Sequence, residues 1–197
     1  MWILKLIWDF FLDALESIVV SLAILILVYQ FLFQPHQVDG RSMVPTFHNG
    51  DYILTDKLSY RFHPPKRGDI IVFKAPQDER VEFIKRIIAI PGDRVMVKNQ
   101  KVWLNGQPLD EPYTNDGITP ADTFLREGRE VTVPSGNYIV MGDNRLHSSD
   151  SRHWGFVRSD EIKGRVFFRY WPLDAFGPIK TSEIEPTIEA VKGIMTR

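Results

Sequence analysis

The feature that most constrains this chain is a long apolar run near its start, because such a run needs either a bilayer or a large core to cover it. Residues 17–33, SIVVSLAILILVYQFLF, carry no formal charge and are apolar except for Ser17, Ser21 and Gln30. About 20 residues, rising about 1.5 Å each, cross the hydrocarbon core of a bilayer. The run therefore has the length of a transmembrane helix.

Two other interpretations of the run fit less well. A cleaved signal peptide has a shorter apolar region and a cleavage site between small residues, whereas the run is followed by QPHQVDG. A core helix of a soluble protein keeps a polar face, whereas apolar residues here cover every face. We therefore expect a retained transmembrane anchor over residues 17–33.

The segment before the run, residues 1–16, predicts an amphipathic helix. Its charged side chains recur at helical spacing, namely Lys5, Asp9, Asp13 and Glu16. We expect this polar stripe to face water or lipid head groups before the chain turns across the bilayer. The positive charges do not decide the orientation, because Lys5 lies before the run and Arg41 lies soon after it.

Composition narrows the classes of function. The chain has 24 Lys and Arg against 25 Asp and Glu, a net charge of −1, so no basic excess is present to bind phosphates and we expect no nucleic-acid partner. The lack of cysteine excludes disulfides, thiolate zinc sites, iron–sulfur clusters and a cysteine nucleophile. A length of 197 residues suffices for one compact domain with a small insertion, once the membrane segment is subtracted.

After the run, strands separated by turn residues dominate the pattern. Segments rich in Val, Ile, Phe and Tyr are 67–73, 81–90, 94–109, 130–143 and 164–173. Without strand–helix alternation, they predict a mainly β domain with antiparallel strands. Asn105-Gly106 predicts a two-residue hairpin turn, because both residues tolerate positive φ angles. Residues 110–129 are polar and indicate an insertion or long loop, and residues 181–197 form a C-terminal tail.

Lys85 stands out because its predicted strand surrounds it with apolar side chains. Alternation along a strand puts Val81, Phe83, Ile87 and Ala89 on the same face as Lys85. Such neighbours remove water from the ammonium group and favour the neutral amine. A lysine at a strand end can instead extend its amine to water, so the pattern alone leaves both interpretations open.

Ser42, in the turn sequence GRSM, is a candidate nucleophile if a base lies beside it. A neutral lysine amine can be that base, since Ser–Lys pairs are a known variant of the nucleophile–base arrangement. The serine alone is a weak signal, because GRSM lacks the G-x-S-x-G elbow and loop serines commonly form only local hydrogen bonds. None of the five histidines is a compelling base for it.

His147 and His153 flank Asp150 symmetrically, which is a pattern that a metal site could use. The segment has the composition of a loop, however, and its spacing implies no regular ligand geometry. We therefore expect no metal and no cofactor, and we interpret these histidines as solvated loop residues.

Four sequence motifs occur in order over roughly residues 35–170. They are GRSMVPTF, RGDIIVF, IKRIIAIPGD and GDNRLHSSDSRHWGFV. Together they resemble the ordered motifs of bacterial type I signal peptidases, a family of membrane-anchored serine proteases that remove signal peptides from exported proteins. Any one motif is modest evidence, whereas four in order, after an anchor, leave little room for chance.

The resemblance implies a Ser–Lys mechanism with Ser42 as nucleophile and Lys85 as general base. The supporting residues that it implies are Ser148, which hydrogen-bonds and orients the lysine, and two bracing pairs, Asp150 with Arg152 and Asp143 with Arg86. Some members carry a hydroxyl residue two positions before the nucleophile, which donates to the oxyanion. Here that position is Gly40, so the backbone amide of Ser42 stays as the expected donor and no side-chain donor is assigned.

The resemblance also implies the fold, the partners and the location. The family fold is an antiparallel β catalytic domain, here 35–180, with a smaller β insertion at about residues 100–137. The implied partners are the lipid bilayer and precursor proteins that carry signal peptides, cut after small residues at A-x-A-like sites. The implied location is the bacterial cell membrane, spanned once, with the β domain on the extracytoplasmic side.

Two other functions compete with this hypothesis. Self-cleaving repressors share the Ser–Lys chemistry and a related β fold, but they need a DNA-binding module where this chain has an apolar run. A membrane-tethered β domain without catalysis could act as a binding protein. The presence of both candidate catalytic residues and their supports argues against it.

Overall fold

A computed structural model describes residues 2–114, 117–180 and 184. It begins with one long helix, α1 (Trp2–Phe31), of 30 residues. Among the described residues, the segment Trp2–Tyr29 is the one helical stretch long and apolar enough to cross a membrane, and its apolar part is not covered by the rest of the protein. At about 1.5 Å per residue, α1 measures about 45 Å, which exceeds the roughly 30 Å of a hydrocarbon core.

The course of α1 differs from the two expected segments, 1–16 and 17–33. The chain does not turn between them, because α1 contains neither proline nor glycine to break the helix. The amphipathic segment and the apolar run are therefore consecutive parts of one helix. The helix ends at Phe31, and Phe33 already pairs with Asp56 in a sheet.

Strands and two short helices follow α1 in the described part of the chain. The strands are β1 (Phe33–Gln37), β2 (Tyr52–Asp56), β3 (Ile70–Ala75), β4 (Asp78–Ala89), β5 (Arg94–Lys98), β6 (Lys101–Leu104), β7 (Gln107–Pro108), β8 (Val131–Thr132), β9 (Asn137–Met141), β10 (Val157–Arg158), β11 (Ile162–Trp171) and β12 (Gly177–Pro178). The short helices are α2 (Ser59–Phe62) and α3 (Ser151–Trp154).

The larger sheet has the strand order β1-β2-β11-β3-β4-β9-β10, with β12 paired to β11. All of these pairs are antiparallel, so the predicted mainly antiparallel β architecture is confirmed. Strand β3 lies near the middle and is buried on both faces. Ile70 and Val72 pack into one core cluster, whereas Ile71 and Phe73 pack into another. This burial explains why β3 reads as a continuous apolar run.

The smaller sheet, with the order β7-β6-β5-β8, corresponds to the expected insertion. It begins at Arg94 rather than near residue 100, because β5 pairs with β6 and β8 and not with the larger sheet. Its last strand ends at Thr132, and the chain rejoins the larger sheet at Asn137. Residue 100 lies in the first turn of this sheet, between β5 and β6.

Two tight turns connect the first three strands of the smaller sheet. The predicted turn at Asn105-Gly106 is present, with φ angles of 54° and 83° between the paired residues Leu104 and Gln107. A second turn of this kind lies at Asn99-Gln100, with φ angles of 51° and 59°. The sequence did not indicate it, because glutamine rarely adopts a positive φ.

A shared core fixes the smaller sheet against the larger one. One cluster of buried side chains contains Val95 and Val102 from the smaller sheet and Ile88 and Ile139 from β4 and β9. The two sheets are therefore not separated by a linker or by water. Ile184 joins the same cluster, and the rest of the expected tail, 181–197, lies outside the described residues.

Candidate active site

Ser42 lies in the loop between β1 and β2, and buried apolar side chains hold this loop in place. Met43 and Phe47 are buried and pack with Val38 in one core cluster. The amide of Phe47 donates to the carbonyl of Met43 at 2.8 Å. Gly40, with a φ angle of 97°, supplies a backbone conformation that other residues rarely adopt. The apolar members of the GRSMVPTF motif thus fix the backbone that carries the serine.

Lys85 lies on β4, where it pairs with Ile71, and its amine reaches the serine. The distance between Lys85 Nζ and Ser42 Oγ is 2.9 Å. The amine also donates to the carbonyl of Ile84 at 3.0 Å and lies 5.1 Å from the centroid of the Phe83 ring. Only 4% of Lys85 is exposed, so it does not extend to bulk water.

Burial of Lys85 changes its acid–base behaviour. Removal of water lowers the pKa of the amine from 10.5 to about 8, while the carboxylates of Asp150 and Asp143 oppose this shift. Desolvation penalises the ammonium form, whereas nearby negative charges stabilise it. A substantial fraction of neutral amine is therefore present at mildly alkaline pH, where it can accept a proton from Ser42.

The first bracing pair, Asp143 with Arg86, is fully buried. Arg86 Nε lies 2.8 Å from Asp143 Oδ1, and Arg86 Nη2 lies 2.6 Å from Asp143 Oδ2. Thr46, from the serine loop, also donates its hydroxyl to this carboxylate. The pair thus connects three segments: the loop that carries Ser42, the strand that carries Lys85 and the turn after β9. Removing one partner would leave an uncompensated buried charge.

The second bracing pair, Asp150 with Arg152, orders the segment that follows Asp143 in the chain. Arg152 Nε and Nη2 lie 2.8 and 2.9 Å from the two carboxylate oxygens of Asp150. Asp150 also accepts from the amide of Gly142 at 3.1 Å. Both expected pairs are thus formed, and the carboxylates of both oppose the fall in the pKa of Lys85.

Ser148 is the expected site residue whose geometry differs from the expectation. Its Oγ is buried but has no hydrogen-bond partner among the described residues, and Lys85 donates to the carbonyl of Ile84 instead. The hydroxyl lies against Gly142, where an added Cβ would collide with Ser148 Oγ and with the carbonyl of Ser42. The role of Ser148 in orienting the lysine stays a prediction.

Ser42 and Lys85 line a cleft of about 310 Å³. The cleft is lined by residues 37–43, 82–85, His147 and Ser149. Gly40 presents no side chain to it, so no side-chain hydroxyl donates to an oxyanion from that position. Among the histidines for which no metal was expected, His147 Nδ1 lies 3.1 Å from Asn144 Oδ1, and His153 Nδ1 lies 2.8 Å from Thr123 Oγ1.

Comparison with known proteins decides the family. The family described as "Signal peptidase, peptidase S26" matches residues 11–171. The chain is 45% identical over 154 residues to signal peptidase I of Bacillus caldolyticus, covering 74% of this chain and 84% of that protein. It is 38% identical over 186 residues to probable signal peptidase I-1 of Synechocystis sp., and this match covers 91% of this chain and 92% of that protein. This chain belongs to the signal peptidase family S26.

Membership in the signal peptidase family confirms the resemblance drawn from the four motifs and makes the chain a serine peptidase, a hydrolase. A crystal structure of a signal peptidase I from Enterococcus faecalis V583 is also similar. It is 32% identical, with a TM-score of 0.45, and the match covers 52% of this chain and 97% of that one.

Three residues of this signal peptidase site were not found from the sequence. Thr46 belongs to the GRSMVPTF motif but looks like an ordinary loop hydroxyl. Arg145 belongs to GDNR, yet its partner Glu111 comes from the polar segment 110–129, which shows no periodicity. The motif position of Arg145 was a usable signal, whereas nothing local marks Glu111 as its partner.

Proposed function

We propose that this protein is a membrane-anchored endopeptidase that cleaves N-terminal signal peptides from exported precursors, with Ser42 as nucleophile and Lys85 as general base. The observation that supports this most directly is the 2.9 Å distance between Lys85 Nζ and Ser42 Oγ. It occurs in surroundings that lower the pKa of the lysine to about 8. Together these features meet the requirements of a serine activated by a neutral amine.

The geometry suggests the following sequence of steps. Neutral Lys85 accepts the hydroxyl proton of Ser42 while Oγ attacks the scissile carbonyl carbon, and the carbonyl oxygen becomes an oxyanion. The backbone amide of Ser42 donates to this oxyanion. The Lys85 ammonium then gives its proton to the departing amine, which leaves an ester on Ser42. Water, deprotonated by Lys85, attacks the ester carbonyl; the Lys85 ammonium then returns the proton to Ser42 Oγ as the C–Oγ bond breaks, and the signal peptide leaves with a free carboxylate.

The two bracing carboxylates adjust the pKa of Lys85, on which this proton transfer depends. Asp143 and Asp150 raise the pKa of Lys85, which limits the fall that burial causes. A lysine of very low pKa would be a weak base, whereas one near its ordinary value would be protonated at working pH. A pKa near 8 lies between these extremes.

We expect cleavage after a small residue, with another small residue two positions earlier. Met43, Phe83 and Ile84 are apolar side chains that line the cleft beside Ser42, and we expect the space between them to reject bulky side chains by steric clash. A precursor with alanine at both positions should be processed by the purified protein in detergent, and the new amino terminus can be mapped by mass spectrometry. A bulky aromatic residue immediately before the cut should stop processing.

The matched control for this prediction is the same aromatic residue placed well inside the mature part of the precursor, where it should have no effect. Equal processing of both aromatic precursors would contradict the proposed specificity. Failure of the wild-type protein to cleave the alanine precursor would instead favour a β domain that only binds.

We further propose that α1 anchors the protein and that the β domain lies on the extracytoplasmic side, where the cleavage sites of exported precursors emerge. The full-length protein should resist extraction from membranes by alkaline carbonate, because the apolar part of α1 matches a bilayer. A shortened chain that begins near Pro35 should be released. Release of the intact protein would contradict the anchor.

A further inference from the structure

The loop that follows β7 in the smaller sheet contacts the braces of the catalytic pair, although none of its described residues lines the cleft. Three polar side chains of this loop are almost fully covered. The side chain of Glu111 is 10% exposed, Tyr113 is 8% exposed and Thr119 is 2% exposed. Buried polar groups require partners. Arg145 is the partner of Glu111 and Thr119, and Glu111 is in turn the partner of the Tyr113 hydroxyl.

Arg145, the buried last residue of GDNR, is held by this loop. Its guanidinium forms an ion pair with Glu111 and also donates to the hydroxyl of Thr119. Arg145 Nε donates to the carbonyl of Gly142 at 2.9 Å. Glu111 therefore holds Arg145, and Arg145 in turn holds the backbone of Gly142.

Tyr113 connects this contact to the first brace. Its hydroxyl donates to Glu111 Oε1 at 2.8 Å. Its ring lies under the guanidinium of Arg86, with Arg86 Cζ at 4.1 Å from the ring centroid, within the range of a cation–π contact. Arg86 is the partner of Asp143. Tyr113 therefore contacts Arg86 directly, and it contacts Arg145 through Glu111.

Gly142 is the point at which this network meets the reacting groups. No space separates its backbone from the carbonyl of Ser42 and the hydroxyl of Ser148, since an added Cβ would collide with both. A shift of the backbone at Gly142 is therefore passed directly to the nucleophile. Well-packed interiors transmit such shifts rather than absorb them.

We propose that Glu111 and Tyr113 are positioning residues of the catalytic pair. Glu111 acts through Arg145 on the backbone of Gly142. Tyr113 acts through Arg86 on the neighbouring carboxylate. This inference rests on the proposed function, and it makes the loop of the smaller sheet a part of the machinery that sets the serine and the lysine.

The test uses the full-length protein in detergent with a defined precursor, and active sites are counted with a serine-reactive probe. Glu111→Gln should lower kcat per active site roughly 10- to 100-fold, the scale expected for a displaced catalytic group. KM should stay within about twofold, because the loop does not line the cleft. Glu130→Gln is the matched control: this acid of the same insertion lies in an exposed pair with Arg94 and should leave kcat unchanged.

The pH profile provides a readout that a merely structural role would not move. Glu111→Gln leaves the charge of Arg145 uncompensated, which disfavours the Lys85 ammonium, so the acid limb of kcat/KM should move to lower pH. Tyr113→Leu loosens Arg86 and leaves Asp143 less compensated, so the acid limb should move to higher pH. Tyr113→Phe keeps the ring under Arg86 and should give the smaller change of the two tyrosine variants.

The outcomes separate this inference from the proposed function. If the wild type cleaves the precursor but both variants keep wild-type kcat and pH profile per active site, the positioning role is wrong and the proposed function stands. A loss confined to the melting temperature and to the number of titrated sites would also overturn it. If Glu111→Gln or Tyr113→Leu does not fold, Glu111→Asp and Tyr113→Phe replace them: the first shortens the reach to Arg145 and the second removes the hydroxyl bond to Glu111, so each should lower kcat per active site without the shift in pH profile, and wild-type kcat in both would overturn the positioning role. If the wild type does not cleave, the proposed function itself fails.

Discussion

Replacing Ser42 by alanine or Lys85 by arginine should remove cleavage almost completely while leaving the protein folded. Ser42→Ala deletes the attacking oxygen. Lys85→Arg keeps a positive charge but cannot supply a base, because the pKa of arginine lies above about 12. We expect kcat/KM to fall by at least roughly 10⁴-fold, as when a member of a nucleophile–base pair is removed.

The measurement is cleavage of a defined precursor by equal amounts of folded protein, with circular dichroism and thermal melting as folding controls. Lys101→Arg is the matched control, because this exposed lysine of the smaller sheet lies outside the cleft and should tolerate the change. Substantial turnover by folded Lys85→Arg would transfer the role of base to another group. His147, which lines the cleft, would then be the next candidate.

Activity should fall steeply as the pH drops below about 8, the pKa to which burial lowers Lys85. The neutral amine is the active form, so kcat/KM should fall about tenfold for each pH unit below that value and reach about one hundredth of its plateau at pH 6. Above the pKa the rate should level off. The profile is measured on one precursor at constant ionic strength.

The position of the acid limb distinguishes lysine from histidine as the base. Histidine has an ordinary pKa of 6.5, and burial lowers the pKa of His36, the histidine beside Glu82, further below it. An acid limb at or below pH 6.5 would therefore contradict the Ser–Lys mechanism. Circular dichroism across the same pH range shows whether a loss of activity reflects unfolding instead.

The same pKa determines the sign of the contribution of Lys85 to stability. Between about pH 8 and 10.5 the unfolded lysine binds a proton that the native lysine does not, so the free energy of unfolding rises with pH across this window. The total change is about 3 kcal/mol: the full cost of burying Lys85 is present below about pH 8, where both states are protonated, and it is lost as the pH rises to about 10.5. Burial of Lys85 thus costs most stability below about pH 8, where the group is an ammonium and cannot act as the base.

Several features of this protein could be predicted from the sequence because each depends on neighbouring residues alone. An uncharged apolar run defines a helix that can cross a bilayer, whatever the rest of the chain does. Residues tolerant of positive φ at Asn105-Gly106 determine a hairpin turn. Alternating apolar residues predict strands, and four ordered motifs identified the family before any distance was known.

The tertiary structure alone decided where separate segments meet. Ser42 and Lys85 are 43 positions apart, and only the placement of the β1–β2 loop against β4 brings their side chains to 2.9 Å. The start of the insertion at Arg94 depends on which strands β5 pairs with, and a single strand does not encode its partner. The partnership of Glu111 with Arg145 arises because the shared core packs the smaller sheet against the larger one, so that a polar loop without local periodicity is buried beneath the site. Contacts of this kind depend on burial and packing between segments that are distant in the sequence, so short sequence patterns do not predict them.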